Sequence, residues 1–260
     1  MRMTKDYLGA FQEYSKIINK YHDFRLIGEA YLGAMSSAID RSEPSLDDAQ
    51  MVLEAAIGNE SRVGEQIVKK LKLEQLAIYI KSENYADALP RYEALAADKD
   101  EVIAVQGIRG VLGCKRKQGD TDLPAYCRGL IERSGSKRVK MIAAVGLGEV
   151  MRRKAQSLKD FREAVEFLAD AVVVYYPGRG SGLEPDHEEA LFHLAGCYES
   201  MAAQAKAPAV TVYLNMARQT YKEVLAVYGQ SNRAQEAGTA LSVVEAKLAE
   251  AGPAAKGANP

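Results

Sequence analysis

The chain has 260 residues, with 34 Lys or Arg against 35 Asp or Glu, so its formal net charge at pH 7 is −1. A content of 47% apolar and 27% charged residues excludes a disordered chain, and near neutrality disfavours a nucleic-acid-binding protein. No apolar run approaches the roughly eighteen residues that span a bilayer, and the start "MRMTKDYLGAFQEYS" lacks the apolar stretch of a secretory signal, which favours the cytoplasm unless sequence upstream directs the chain to the cell envelope.

One helical pattern recurs along most of the chain. "YSKIINKYHDFRLIGEA", which begins at Tyr14, has a counterpart in "YKEVLAVYGQSNRAQEA", which begins at Tyr221. In both places an alanine lies four residues before the first Tyr, and larger apolar residues follow at steps of four and three. This spacing places them on one face of a helix. The sets with this spacing are Ala10, Tyr14, Ile17 and Tyr21; Ala49, Leu53 and Ala56; Ala88, Tyr92 and Leu95; Ala164, Leu168, Ala171 and Tyr175; and Ala217, Tyr221, Val224 and Tyr228.

A second pattern precedes most of these sets. It consists of two apolar residues, a small residue directly after the second, and a further large residue one turn on. A small residue there removes the Cβ bulk where two antiparallel helices cross. The sets are Phe24, Ile27, Gly28 and Tyr31; Leu73, Leu76, Ala77 and Ile80; Ala144, Leu147, Gly148 and Met151; and Leu191, Leu194, Ala195 and Tyr198.

Taken in chain order, these patterns predict one helical-repeat domain over residues 1–250. It opens with a helix at about residues 4–21, continues as five helix pairs to about residue 229, and closes with a helix at about 233–250. The remainder, "AGPAAKGANP", is rich in Gly and Pro and is expected to be a flexible tail over residues 251–260.

Three places in the map are irregular. Between Gly28 and Ala49 the spacing is stretched, so the first helix of that pair is expected to be extended by "AMSSAIDRSEPSLDD". Pro208 is expected to interrupt a similar insertion before Ala217. The pair around residues 103–133 is the weakest, because "EVIAVQGIRGVLG" lacks a clean register.

The paired patterns resemble the tetratricopeptide repeat (TPR), W-x2-L-G-x2-Y followed by A-x3-F-x2-A, although the chain has no Trp. The resemblance implies an all-α, right-handed α-solenoid of about five TPR-like helix pairs with an N-terminal half-repeat and a C-terminal capping helix. It also implies a non-catalytic protein–protein interaction scaffold. A weaker similarity of "VYGQSNRAQEAGTALSVVEAKLAE" to bacterial cell-envelope TPR scaffold proteins implies the alternative of an assembly module. Such a module would dock through the opening half-repeat on another copy or on a larger complex.

By the same resemblance, the first helices of the pairs line a concave groove that binds a protein or peptide segment. The groove residues so implied are Arg25, Glu29, Glu74, Ile78, Glu149, Phe192, His193 and Glu199. Because this set mixes charges and contains no Asn, it favours a mixed groove over a clamp for a terminal carboxylate.

Charge is unevenly distributed along the chain. Residues 114–159 contain 12 Lys or Arg against 4 Asp or Glu, a local net charge of +8. The triplets that end two neighbouring first helices are Lys115, Arg116 and Lys117, and Arg152, Arg153 and Lys154; the opposite rim carries Arg133, Lys137, Arg138 and Lys140. The triplets either complement the helix dipoles or form one basic ledge that docks an acidic partner, an anionic lipid or, least of the three, nucleic acid.

Signals for catalysis are weak, and the sequence predicts neither an enzyme nor a cofactor. "GRGSG" lacks the G-K-[ST] ending of a phosphate-binding loop and is expected to be a linker, with Asp186 capping the helix after it. Glu189, His193 and Cys197, spaced four apart, could face a zinc ion, but such a stripe is more often part of a core or groove.

The remaining titratable candidates have structural explanations. Cys114, Cys127 and Cys197 never form a C-x-x-C motif and are expected to be buried apolar residues. His22 is expected to complement the dipole at the end of the first helix.

Overall fold

The computed structural model describes residues 6–21, 25–119 and 121–251. Throughout those ranges the regular elements are helices, without a strand, so the all-α class is confirmed. The chain divides between residues 120 and 121 into two compact units. His22, Phe24 and most of the predicted tail lie outside the described residues.

The first unit is built from seven helices among its described residues. They are α1 (Tyr7–Lys20), α2 (Ile27–Ile39), α3 (Leu46–Gly58), α4 (Glu60–Val63), α5 (Glu65–Lys81), α6 (Tyr85–Ala96) and α7 (Glu101–Lys117).

The second unit has six α-helices and one short π-helical segment in its described part. They are α8 (Leu123–Arg133), α9 (Lys137–Lys154), α10 (Leu158–Asp170), the π-helical segment Ala171–Tyr175, α11 (Glu184–Gln204), α12 (Ala209–Tyr228) and α13 (Asn232–Glu250).

Local sequence fixes where the helices begin. α5 starts directly after Gly64, whose φ of +94° only a residue without a Cβ adopts readily. At the start of α7, Asp100 Oδ1 accepts a hydrogen bond from the Val102 N–H at 2.9 Å. α10 begins with a capping box in which Ser157 and Asp160 each bond the other's backbone N–H.

In the first unit, each long helix packs against its neighbours in sequence. α2 contacts α1, α3 and α5, and α5 contacts α3, α6 and α7. The apolar core between them includes the fully buried side chains of Met35 and Leu71. The leading Ala49 and Ala88 of the repeated pattern are also fully buried, as expected for small residues at helix crossings.

Glycines allow the closest helix contacts of this unit. A Cβ built on Gly110 of α7 would lie 2.0 Å from Cδ1 of Tyr92 on α6, and one on Gly107 would lie 2.3 Å from the backbone N of Ala96. On α2, a Cβ at Gly33 would lie 2.4 Å from the ring of Tyr14. Helix α7 therefore has small contact residues at two positions, although its sequence shows no clean register.

The second unit repeats this packing. α9 contacts α8, α10 and α11, and α11 contacts α10, α12 and α13. A Cβ on Gly148 would lie 2.5 Å from Cγ of Leu168, so the small residue in the α9 pattern does sit at a helix crossing. Ala195 and Ala217 are fully buried between α11 and α12.

Several local expectations are corrected. The stretch expected to extend the first long helix is only partly helical, because α2 ends at Ile39 and α3 begins at Leu46. Asp186 does not cap α11, which begins two residues earlier after Leu183. The break at Pro208 is confirmed, since this residue directly precedes α12.

Candidate partner-binding groove

One face of α7 lines a large groove in the first unit. Val102, Gln106, Arg109 and Gly113 follow one another at steps of four, three and four, so they share one side of the helix. Val102, in the first turn of α7, is 56% exposed and gives the groove an open apolar edge.

Helix α5 forms the opposite wall. The space between the two helices has a volume of about 830 Å³, within the range of ligand-binding clefts. Its α5 lining alternates apolar and polar side chains, and Tyr92 of α6 contributes an aromatic ring. The α5 residues are Gln66, Ile67, Lys70, Leu73, Glu74 and Ile80.

A second groove of about 380 Å³ lies between α2 and α5, with α1 at its edge. Lys70 and Glu74 line both grooves, so the two openings adjoin along the same face of α5. The other lining residues are Tyr14, Ile17, Leu26, Glu29, Ala30, Leu32, Gly33 and Ser36.

Polar contacts attach α5 to the start of α7. Lys69 Nζ lies 3.2 Å from Asp98 Oδ1, and Gln66 Nε2 donates to Asp100 Oδ2 at 3.4 Å. The backbone N–H of Asp100, more than Lys69, holds the pKa of Asp98 below its usual value. These contacts set the spacing of the two groove walls within the folded unit.

Glu74 is the least satisfied group in the groove. Its Oε1 lies 3.9 Å from Lys70 Nζ, a long contact with a side chain that is itself 59% exposed. Its Oε2 is buried and has no hydrogen-bond partner. Burial raises the pKa of Glu74, and the negative charge of Asp40 raises it further against the opposing effect of Lys70. A ligand that donates a hydrogen bond to the Glu74 carboxylate would therefore displace little further water from it.

The four groove residues implied for the first unit differ in accessibility. Glu29 and Glu74 line the α2–α5 groove together, and Arg25 is exposed in the turn before α2. Ile78 is only 4% exposed and belongs to the apolar core, so its side chain does not form part of the groove surface.

In the second unit the corresponding side chains are engaged within the fold. Glu149 is 4% exposed and forms an ion pair with Arg153, one turn along α9. His193 is also buried, with Nε2 3.3 Å from Glu189 Oε2. Neither side chain is placed on an open surface of this unit.

Helix α13 covers the other two residues implied for this unit. The guanidinium of Arg233 stacks 4.6 Å from the ring centroid of Phe192 and pairs with Glu189. Further along, Lys247 Nζ lies 2.8 Å from Glu199 Oε1. The face of α11 that the resemblance assigns to a partner thus contacts the last helix of the same chain.

The two basic triplets each occupy the last turn of a helix, α7 and α9, where cations complement the helix dipole. Arg152 is half-buried with Nε lacking a hydrogen-bond partner, whereas Arg153 and Lys154 are exposed. In the other triplet, Lys117 is the exposed member. Because the triplets belong to different units, a single basic ledge stays a prediction.

The stripe considered for zinc is largely buried. Burial raises the pKa of the Cys197 thiol to about 12, so the thiolate that binds zinc is disfavoured. No group of three His, Cys, Asp or Glu side chains that could hold a metal ion occurs among the described residues. All three cysteines are buried and none forms a disulfide, and their burial is as expected from their positions in the helical pattern.

The predicted linker contains three glycines with positive φ: Gly178, Gly180 and Gly182. The carboxylate of Glu184 accepts a hydrogen bond from the Gly180 N–H. Its own backbone N–H and that of Gly180 hold the pKa of Glu184 below its usual value. The Glu184 side chain thus attaches the loop to the start of α11.

Gln106, Arg109 and Gly113 were not identified from the sequence as groove residues. Their spacing of three and four is visible in "EVIAVQGIRGVLG". The face of this helix that packs on α6 contains glycines in place of large apolar residues, so the sequence does not show which side is buried. Within the described ranges, no helix is long and apolar enough to cross a membrane.

Comparison with models of protein families, with curated protein sequences and with solved structures finds no match for this chain.

Proposed function

We propose that this chain is a non-catalytic protein-interaction scaffold built from TPR-like helix pairs, and that the first unit binds a partner segment along α2, α5 and α7. The observation that carries the proposal is the pair of adjoining grooves on these three helices, with volumes of about 830 and 380 Å³. The lining combines apolar side chains with a few polar ones, which is typical of sites that bind peptides or small molecules.

The packing order supports the repeat interpretation. In each unit, long helices contact the next helix and the next but one, as stacked helical hairpins do. The groove lies on α2, α5 and α7, the helices assigned as first members of successive pairs. A TPR-like solenoid would place these helices on its concave side.

The test uses a substitution that fills the groove without disturbing the fold. Gly113 lines the α5–α7 groove, and a Cβ built there meets no atom within 4 Å. Gly58 has the same open surroundings at the exposed end of α3 and lies away from both grooves, so it is the matched control. Gly113→Leu should obstruct the groove, whereas Gly58→Leu should not.

The probe is a set of peptides selected from a random dodecapeptide phage library on the wild-type protein. Gly113→Leu should weaken the binding of these peptides by about tenfold or more, measured by fluorescence anisotropy, and Gly58→Leu by less than about twofold. Equal binding to all three proteins, or failure to select any peptide, would reject the groove as the binding surface.

A second candidate function is self-association through α1. Leu8 on this helix is 54% exposed, and Tyr21 at its end is 61% exposed. These two side chains lie at opposite ends of α1, and an interface along this helix would remove both from water. Sedimentation velocity of the wild type and of Leu8→Glu tests this: a dimer lost on substitution supports self-association, and a monomer at all concentrations rejects it.

A further inference from the structure

The carboxylate of Glu74 occupies the point where the two grooves of the first unit adjoin. It lines the space between α5 and α7 and also the space between α2 and α5. A segment lying across α5 from one groove to the other would therefore pass over this side chain. Among the described residues, Lys70 is the one other member of both linings.

The bonding of Glu74 is incomplete. Oε2 is buried without a hydrogen-bond partner, and native structures rarely leave such an acceptor unsatisfied. Lys70 does not satisfy it, because its Nζ approaches only Oε1, at 3.9 Å. The Glu74 side chain as a whole is 27% exposed although Oε2 itself is covered, so a ligand's donor reaches this oxygen once the carboxylate turns toward the groove.

The charges around the grooves differ between their two ends. Glu29 joins Glu74 in the α2–α5 groove, and Asp40 adds to the negative potential at Glu74. Asp40 is itself held by Lys81, whose Nζ lies 3.0 Å from Oδ1. The α5–α7 groove instead contains Arg109. With Lys70 common to both, the end toward α2 has two carboxylates against one ammonium, whereas the end toward α7 has two cations against one carboxylate.

We propose that the occupant of the groove is a protein segment that places a Lys or Arg side chain against Glu74, with apolar residues on the α7 side of it. This inference rests on the proposed function and adds the chemistry of the partner. A cationic donor satisfies the orphaned oxygen and the local negative charge together, and hydrogen bonds between charged groups are stronger than neutral ones. Val102, Leu73 and Tyr92 supply the apolar surface beyond it.

Glu74→Gln removes the charge and keeps the shape of the side chain. Because Glu74 is desolvated and poorly paired, this change should leave the thermal midpoint unchanged or higher. A role in fold stability would instead lower the midpoint. Glu93→Gln is the matched control, since Glu93 is an exposed glutamate on α6 that lines neither groove.

The experiment is a double-substitution cycle with the peptides selected on the wild-type protein. These peptides should share a Lys or Arg, and replacing it by Gln should weaken wild-type binding about tenfold but binding to Glu74→Gln by less than about twofold. The cycle with Glu93→Gln should show no coupling. Selection on Glu74→Lys should yield peptides with Asp or Glu at the shared position.

Two other results have distinct meanings. Peptides whose binding is lost on Gly113→Leu but which lack a basic residue, or which bind Glu74→Gln as the wild type, overturn the role of Glu74 and leave the groove as the binding site. Peptides that are insensitive to Gly113→Leu overturn the proposed function and the role of Glu74 with it.

Discussion

The ring of Tyr92 lies directly against Gly110, with Cδ1 2.0 Å from the position that a Cβ on Gly110 would occupy. The two residues belong to α6 and α7, so this contact sets how closely the helices approach. Tyr92 also lines the groove between α5 and α7. The packing of α6 on α7 and the shape of the groove between α5 and α7 therefore depend on the same side chain.

Gly110→Ala should destabilise the protein by about 1–3 kcal/mol, since the added methyl group requires the Tyr92 ring or the helix to move. Gly113→Ala on the same helix should have the opposite effect. Its Cβ meets no atom within 4 Å, and Ala in a helix is favoured over Gly by up to about 1 kcal/mol. Urea unfolding followed by circular dichroism compares the two. Similar midpoints for both variants would contradict the close packing at Gly110.

The stability of the second unit should fall in mild acid because of His187. This residue is 7% exposed, its Nδ1 lies 2.7 Å from Tyr228 Oη, and its ring stacks on Tyr176 at 4.0 Å. Burial lowers the pKa of His187 from its ordinary value of 6.5. The neutral ring therefore contributes stability above pH 6.5, and this contribution is lost as the pH falls through the lowered pKa.

Two measurements check this expectation. An NMR titration of the His187 ring protons should give a midpoint below 6.5. The drop in unfolding free energy between about pH 7.5 and pH 5 should be smaller in His187→Gln than in the wild type. An equal drop in both would assign the acid sensitivity to other groups.

Arg233 should contribute more to the attachment of α13 than the exposed ion pair on the same helix. It pairs with Glu189 and Glu236 and stacks on Phe192, and its side chain is only 29% exposed. Arg233→Ala should cost about 1–3 kcal/mol, because charge-assisted bonds and the stacking are lost together.

The control for Arg233 is Lys222→Ala. Lys222 pairs with Glu245 of α13 at 3.1 Å, but both side chains are about half exposed. Such a pair contributes about 0–1 kcal/mol. The free energy of unfolding of both variants is measured in urea. Equal losses would show that Arg233 stabilises the protein no more than the exposed ion pair does.

The basic triplets can be tested by reversing the charge of Arg116, Arg152 and Arg153 to Glu in one variant. If they form one ledge for an acidic partner, a fluorescent poly-glutamate peptide should bind the wild type more tightly at low salt, and the variant should lose most of that binding. The peptides selected for the groove are the control and should bind both proteins. Unchanged poly-glutamate binding in the variant would reject the ledge and favour the alternative, in which the cations complement the helix dipoles.

Helix type and order could be predicted from residue spacing because the repeated steps of three and four extend over many residues. The leading alanines of four sets, Ala49, Ala88, Ala164 and Ala217, are all fully buried, so local spacing also located the helix contacts. Helix ends were less predictable. Leu183 and Pro185 start α11 before the polar residue expected to cap it, since Pro is well suited to the first turn.

The candidate site was only partly predictable. Glu29 and Glu74 could be placed beside the groove from the resemblance, but Ile78 could not be recognised as buried, because its exposure depends on the tilt of α5 against α2 and α3. Phe192 posed a different difficulty. Its cover comes from Arg233, 41 residues later, and no pattern within α11 reports that contact.

The shared wall of the two grooves links their widths. Because Lys70 and Glu74 face both spaces, a rotation of α5 about its own axis would withdraw these side chains from one opening while moving them into the other. The openings on its two sides would then change in opposite senses. Any displacement of α5 is therefore divided between the two grooves, because one helix forms a wall of each.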